Sequence, residues 1–280
     1  MISVTILTKN SERYLREVLA SVQDFDEVIV VDTGSTDTTL SIVREFPHVV
    51  PHLLPFQGFG PTHNAAAALA RNDWILSLDS DEIMSAELAR EILSLQLDGR
   101  AVYSFWRKNF YRGRHIRGCG WFPDRVIRLY NRQKTCFSED QVHEKIERKN
   151  LRHIPLSVPV FHFPYTSVSM FLKKMDSYTD LYAEQNKGKK GSIWQGLFHG
   201  LFAFFKTYIL KKGFLLGSEG FEIAWYNMNC AFYKRAKLAE KSERSMRLCP
   251  EEKGSDSNCS CCIHSPSGQE KGAKEENRVG

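Results

Sequence analysis

Four short apolar runs alternate with three amphipathic segments in the first eighty residues, and this alternation restricts the fold more than any other feature of the chain. Ser3–Thr8 and Glu27–Asp32 are β-branched runs, a third lies within 48–56, and a fourth is Trp74–Leu78 leading into Asp79. Between them Leu15, Val18, Leu19 and Val22, and then Leu40, Val43 and Phe46, recur at helical spacing. A third helix is predicted to start at Pro61, just after Gly58 and Gly60, and to run on through Ala65–Ala68. Strand and helix in turn predict an α/β protein, a parallel sheet with helices on both faces. Such sheets take ligands beyond the carboxyl ends of their strands. Three polar loops fall at those ends, Thr8 to Asn10, Asp32 to Asp37 and Asp79 to Glu82, and they are expected to meet in one crevice.

The run from Trp74 to Glu82 carries the sharpest chemistry. Four of its first five residues are apolar and read as a buried strand, while Asp79, Asp81 and Glu82 place three carboxylates within four positions. Carboxylates gathered at a strand end repel one another unless a cation sits among them. Mg²⁺ or Mn²⁺ takes oxygen ligands and is commonly shared with substrate phosphates. The bland alternative is a solvated acidic turn that caps a helix starting near Ser85. Asp-x-Asp by itself does not choose between them.

From about Ala101 the texture changes. Val102–Trp106 and Arg125–Tyr130 are predicted strands, the second alternating in period two, with a Gly-, Arg- and aromatic-rich loop from Asn109 to Asp124 between them. The segment 153–165 is strand-like, with Pro155, Pro159 and Pro164 at edges or turns. A helix is expected over 167–185. Further on, Ile193-Trp194, Leu197-Phe198, Leu201-Phe202, Phe205 and Tyr208-Ile209 form a stripe at helical spacing, followed at once by Lys211 and Lys212. That pattern is expected to lie in a membrane surface rather than to pack as a core helix.

Charge and cysteine usage narrow the setting. The net charge of +5 is too small to argue for nucleic acid, and none is expected as a partner. The basic character is local: 187–247 holds 12 Lys and Arg against 4 Asp and Glu. Seven cysteines, with strand-like sequence directly after Met1, lead to the expectation of a cytoplasmic protein with free thiols and no leader. After Pro250 the chain turns polar, and 249–280 is expected to be a disordered tail whose Cys259, Cys261 and Cys262 are loose thiols.

Taken in order, Ile6-Leu7-Thr8-x-Asn10, Val31-Asp32-Thr33-Gly34-Ser35-x-Asp37, Gly58-Phe59-Gly60 with Asn64, and Asp79-Ser80-Asp81-Glu82 resemble family 2 glycosyltransferases of the GT-A fold. Val142-His143-Glu144 and Phe161-His162-Phe163-Pro164-Tyr165 resemble the branch of lipopolysaccharide-core β-1,4-glucosyltransferases. The resemblance covers roughly residues 1–240. It implies a Rossmann-like, mostly parallel sheet with a C-terminal amphipathic helical region. Residues 1–100 would hold a UDP-sugar donor, 101–165 the acceptor side, and 166–248 a membrane-associating region. It further implies that Thr8, Asn10, Asp32, Asn64 and Asp79 bind the nucleotide sugar, that Asp81 with Asp79 holds Mg²⁺ or Mn²⁺, and that Glu144 is the general base. The implied product is a β-glycoside on a lipid-anchored saccharide, the heptose of a lipopolysaccharide inner core, made at the inner face of the cytoplasmic membrane. Two departures stand out. His63 occupies a position where relatives often carry Lys or Arg, and Ser80 replaces the commoner alanine.

Other readings stay open at this level. Asp140 competes with Glu144 as the base. His143 is expected to orient a neighbour or to pack, and His162 to be a satisfied core histidine. Arg125 and Arg128 either hold acceptor phosphate or diphosphate or form surface ion pairs, and Trp121 either stacks on a sugar or fills volume. Two further functions are carried beside the lipid acceptor: transfer to a protein or peptide, and nucleotide-sugar binding without catalysis.

Overall fold

A computed structural model describes residues 1–140, 144–165 and 167–248. Strands β1 (Ile2–Thr8), β2 (Glu27–Asp32), β3 (Val49–Leu53) and β4 (Trp74–Asp79) pair in parallel in the order β3-β2-β1-β4. Helices α1 (Leu15–Ser21), α2 (Thr39–Arg44) and α3 (Phe59–Leu69) connect them. The four strands and three helices are those predicted from the sequence. The face of α2 differs, for it buries Thr39, Ile42 and Val43, while Leu40 and Phe46 are only half-buried.

The sheet continues into a mixed half. A two-residue strand β5 (Glu82–Ile83) and helix α4 (Ala86–Leu93) precede β6 (Ala101–Tyr111), β7 (Arg114–His115), β8 (Arg125–Asn131), β9 (Arg152–Pro155) and β10 (Val160–Tyr165). Strand β8 pairs antiparallel with β4 and β6, and β10 runs parallel to β6. Two sequence expectations need correction here. Asn109–Tyr111 belongs to β6, which turns through β7, so the loop is shorter than its glycines suggest. Strand β8 does not alternate: it lies between two strands with both faces covered, so Arg128, Leu129 and Tyr130 are buried in succession.

The core lies on both faces of β1. Val4 and Ile6 pack with Leu15, Val18, Leu19, Leu88 and Ile92 on one side. Ile29, Val31 and Ile75 meet Ala66, Ala67 and Tyr130 on the other. Each aliphatic side chain buried in this way contributes about 1.5–3 kcal/mol. Strand β1 has β2 on one side and β4 on the other, so the strand order reverses at β1 and a crevice opens at its carboxyl end.

Helices α5 (Val168–Gln185), α6 (Ile193–Phe205) and α7 (Ser218–Leu248) complete the chain. Ser167 caps α5 by accepting from Met170 N. Among the described residues no helix is long and apolar enough to cross a membrane. The tail after Leu248 lies outside the described residues.

Candidate active site

The three loops at the strand ends are bonded to one another. Thr8 Oγ1 donates to Asp32 Oδ1 at 3.0 Å, Asn10 N to Ser35 Oγ at 2.8 Å, and Thr36 N to Asn10 Oδ1 at 2.8 Å. The Ser11 and Ser80 hydroxyls meet at 2.8 Å and tie the first loop to the acidic one. Asp32 is buried, and its own loop satisfies it. Gly34 N and Ser35 N donate to Oδ2, while the Ser35 hydroxyl shares Oδ1 with Thr8. Burial alone raises the carboxyl, but the bonds from Ser35, Gly34 and Thr8 overcome it and hold Asp32 below the ordinary 3.8.

The acidic turn after β4 is only partly solvated, and arginines pair with it. Arg128 of β8 donates to Asp79 Oδ2 at 2.5 Å and lies 3.6 Å from Glu82 Oε1. Arg107 of β6 is 3.6 Å from Asp79 and 3.4 Å from Glu82, and its fork grips Asp124 at 2.8 and 3.2 Å. Arg128 is therefore neither a surface ion pair nor open to a phosphate. It is 7% exposed and serves as a counter-ion inside the acidic cluster. Glu82 is wholly buried, and burial together with the Asp79 charge pushes its carboxyl up.

His162 was expected to be a satisfied core histidine; its ring is 11% exposed and both nitrogens have partners, one of which belongs to the acidic turn. The Asn109 amide is oriented by two donations from Nδ2, to Trp121 O at 2.8 Å and Asp124 Oδ2 at 2.9 Å, which leaves Oδ1 to accept. His162 Nδ1 sits 2.5 Å from that oxygen, so Nδ1 carries the ring proton. The other nitrogen, Nε2, faces Asp81 Oδ1 at 3.5 Å. One cation fits between those two atoms, either a proton or a metal ion. A histidine that donates its far N–H while aiming its lone pair at a carboxylate is the usual arrangement of a metal ligand. Burial would raise the Asp81 carboxyl, but with a proton on Nε2 the His162 charge, with smaller contributions from Lys174 and Arg107, holds it down at about 2. Ligand atoms of Asp79, Glu82 and His162 also lie within 4.8 Å of one another. The donor set fits a hard divalent cation.

Glu144 lies on a chain segment held against α3, and its charge is felt at Tyr178 and Arg128. Phe137 bridges to Ile146, and Ser138 N donates to Lys145 O at 2.8 Å, so the residues on either side of Glu144 fold back on themselves. Helix α3 anchors this fold-back. Asn64 donates to Phe137 O at 3.0 Å and accepts from Phe137 N at 2.9 Å, and Gly60 N donates to Asp140 O at 3.2 Å. Gly60 permits the approach, because a Cβ there would fall 1.9 Å from Ser138 O. Asn64 thus spends its amide on the chain that leads to Glu144. Tyr178 of α5 reports the convergence. Burial raises its phenol, and the charges of Glu144, Asp79 and Asp81 all push it further. Arg128 in turn feels Asp79, Glu82 and Glu144 together.

The remaining expected residues sit nearby in other surroundings. Arg125 lies over the Trp106 ring at 3.9 Å and donates to Ser104 Oγ at 3.3 Å. Trp121 stacks on Tyr165 with centroids 5.6 Å apart. His63 is buried against Phe137, with centroids 4.4 Å apart, and burial lowers it to about 4, so it is neutral and supplies no cation. His143 lies outside the described residues. Arg107, Asn109 and Tyr178 were not anticipated from the sequence.

Residues 3–176 match the family model described as glycosyl transferase family 2. The chain belongs to that family, and it is a glycosyltransferase that uses a nucleotide-sugar donor. An uncharacterized glycosyltransferase of Rickettsia typhi is 29% identical over 262 residues, covering 88% of this chain and 89% of the relative. The lipopolysaccharide core biosynthesis glycosyltransferase LpsC of Rhizobium meliloti is 25% identical over 252 residues, covering 86% of this chain and 92% of the relative. Among solved structures, S. aureus TarS 1-349 in complex with UDP-GlcNAc is 19% identical with a TM-score of 0.42, covering 88% of this chain and 91% of that one.

Proposed function

We propose that the protein is an inverting, metal-dependent hexosyltransferase that moves glucose from UDP-glucose to a heptose of a lipopolysaccharide inner core. The observation that supports this reading is the His162 nitrogen 3.5 Å from Asp81 beside Asp79 and Glu82, with the charges of Glu144, Asp79 and Asp81 all raising the Tyr178 phenol. Residues 1–100 serve the donor, 101–165 the acceptor side, and 166–248 the inner face of the cytoplasmic membrane, where a lipid-anchored acceptor is found. The relative named for lipopolysaccharide core biosynthesis supports that acceptor class.

Thr8, Asn10 and Asp32 shape the nucleotide pocket. Asp32 does so through the loop that it fastens, since its oxygens are already taken. Asp81 and His162 would hold the divalent ion, with Asp79 beside them to meet the ion or ribose. A histidine nitrogen in the set favours Mn²⁺ over Mg²⁺. When bound, the ion neutralises charge that gathers on the departing diphosphate. Arg107 and Arg128 keep the carboxylates in place without occupying Asp81. Glu144 removes the proton from the acceptor hydroxyl as that oxygen attacks the anomeric carbon. One displacement inverts the centre, so an α-linked donor gives a β-glycoside.

Glu144→Gln tests the assignment. It is expected to keep UDP-glucose binding by calorimetry while turnover falls about 10²–10⁴-fold, the usual contribution of a general base. Near-normal turnover would remove Glu144 from the mechanism. Screening nucleotide sugars with the purified protein tests the donor, and unchanged lipopolysaccharide in a deletion strain would contradict the acceptor.

A further inference from the structure

We propose that α6, the turn at 206–217 and the start of α7 form one docking surface for an anionic phospholipid bilayer. This rests on the reading of a membrane-bound acceptor and assigns the surface that meets the lipid.

The orientation of α6 is the first observation. Gly196 and Gly200 face α7, where a Cβ would lie 3.0 Å from Phe232 O and 3.1 Å from Met228 O. With the small residues turned inward, the rings point out. Trp194 is 79% exposed and Phe198 70%, and Leu201, Phe202 and Phe205 are about half exposed. A helix packed on a soluble core presents the reverse arrangement.

The surface extends beyond α6. Phe204 lies 5.4 Å from Tyr208 and 5.8 Å from Phe221, Tyr208 is 6.5 Å from Phe214, and Phe221 stacks on Trp225 at 6.0 Å. These ring contacts join three separate chain segments into a single apolar face. At the turn Leu210, Phe214 and Leu215 are exposed together. Apolar faces of this kind mark interaction sites rather than ordinary monomer surface.

Charge selects the occupant. From 187 to 217 the chain carries six lysines and no carboxylate. Lys187, Lys189 and Lys190 stand before α6, and Lys206, Lys211 and Lys212 follow it, all exposed. A second copy would set these lysines against their own kind, whereas anionic headgroups complement them. Since no described helix is long and apolar enough to cross a bilayer, the face lies in the interface. The turn also holds the acceptor-side loop, through Cys119 N donating to Lys211 O at 2.8 Å. A bilayer at this face therefore lies beside the chain that leads to Asp124 and Arg107.

Sedimentation of the full chain with phosphatidylcholine vesicles, with and without phosphatidylglycerol, tests the proposal. The protein is expected to pellet with the anionic vesicles. Lys189→Gln with Lys190→Gln lowers the partition coefficient about 30-fold. Phe214→Glu with Leu215→Glu lowers it by more than about 100-fold. Because these four residues are exposed, thermal unfolding should not move. Equal partition into neutral and anionic vesicles, or a turn variant that pellets like the parent, overturns the proposal. So does a stable dimer in velocity sedimentation that Phe214→Glu with Leu215→Glu splits. The assay needs neither donor nor acceptor. Vesicle binding without sugar transfer refutes the function alone, and transfer without vesicle binding refutes the docking surface alone.

Discussion

Removing Arg128 should expose how the acidic cluster is balanced. Its guanidinium lies 2.5 Å from Asp79 and 3.6 Å from Glu82, with only 7% of the side chain exposed. At an effective dielectric of about 20, a charge contact near 4 Å is worth about 4 kcal/mol before desolvation. Breaking a buried pair by removing one partner costs about 3–5 kcal/mol, because the other charge stays behind. Arg128→Met keeps much of the volume and leaves Asp79 and Glu82 to Arg107, 3.6 and 3.4 Å away. Urea unfolding in the presence of EDTA should therefore show a loss of about 3 kcal/mol or more, a large share of the 5–15 kcal/mol typical of a domain. Mn²⁺ should return part of that loss, and should stabilise the variant more than the parent because it replaces a missing positive charge. A loss under about 1 kcal/mol, with Mn²⁺ acting equally on both proteins, would refute the account of Arg128 as an internal counter-ion.

Two further outcomes follow from the loops around the crevice. Gly60→Ala places a methyl 1.9 Å from Ser138 O, so the chain leading to Glu144 must move; transfer should fall at least about tenfold in kcat with donor affinity little changed, and unchanged kcat in a steady-state assay would contradict this. Asp32→Asn should cost about 2 kcal/mol at neutral pH by chemical denaturation, because its amide NH₂ cannot accept from the Thr8 and Ser35 hydroxyls as Oδ1 of the carboxylate does. The same group sets an acid limit. Its folded value lies below the ordinary 3.8, so its contribution is present above about pH 4 and is lost as the pH falls through the lowered value. The Asp32→Asn variant should show a shallower loss over that window, and parallel pH profiles would remove Asp32 as the cause.

Much of the first half is legible because each strand there is bounded by polar loops and each helix has a clear apolar face. The second half is harder for particular reasons. Strand β8 carries Arg128 beside Leu129 and Tyr130, and period two fails once both faces of a strand are covered. Arg107 and Asn109 share their face of β6 with Phe105 and Tyr111, so two polar residues at alternate positions in an apolar strand were a readable sign of a buried polar network. His162 looked like a core residue because its partners, Asn109 and Asp81, are 53 and 81 positions away in the sequence. The stripe on α6 was visible, but what turns it outward was not. That depended on Gly196 and Gly200, four residues apart, which let α7 approach on the opposite face. Asn64 and Asp32 fell in matching motifs, yet their side chains are spent within the protein, on Phe137 and on the Gly34–Ser35 turn.

The central claim is the proposal that Asp81 Oδ1 and His162 Nε2, 3.5 Å apart, would hold a divalent cation for the donor diphosphate. The direct measurement is the Mn²⁺ dissociation constant in the presence of UDP, by electron paramagnetic resonance, for the parent, Asp81→Ala and His162→Ala. The account predicts UDP-dependent Mn²⁺ binding by the parent and a loss of at least about tenfold in each variant, with Mn²⁺-dependent UDP release abolished in Asp81→Ala. Equal Mn²⁺ affinity in all three proteins would contradict it.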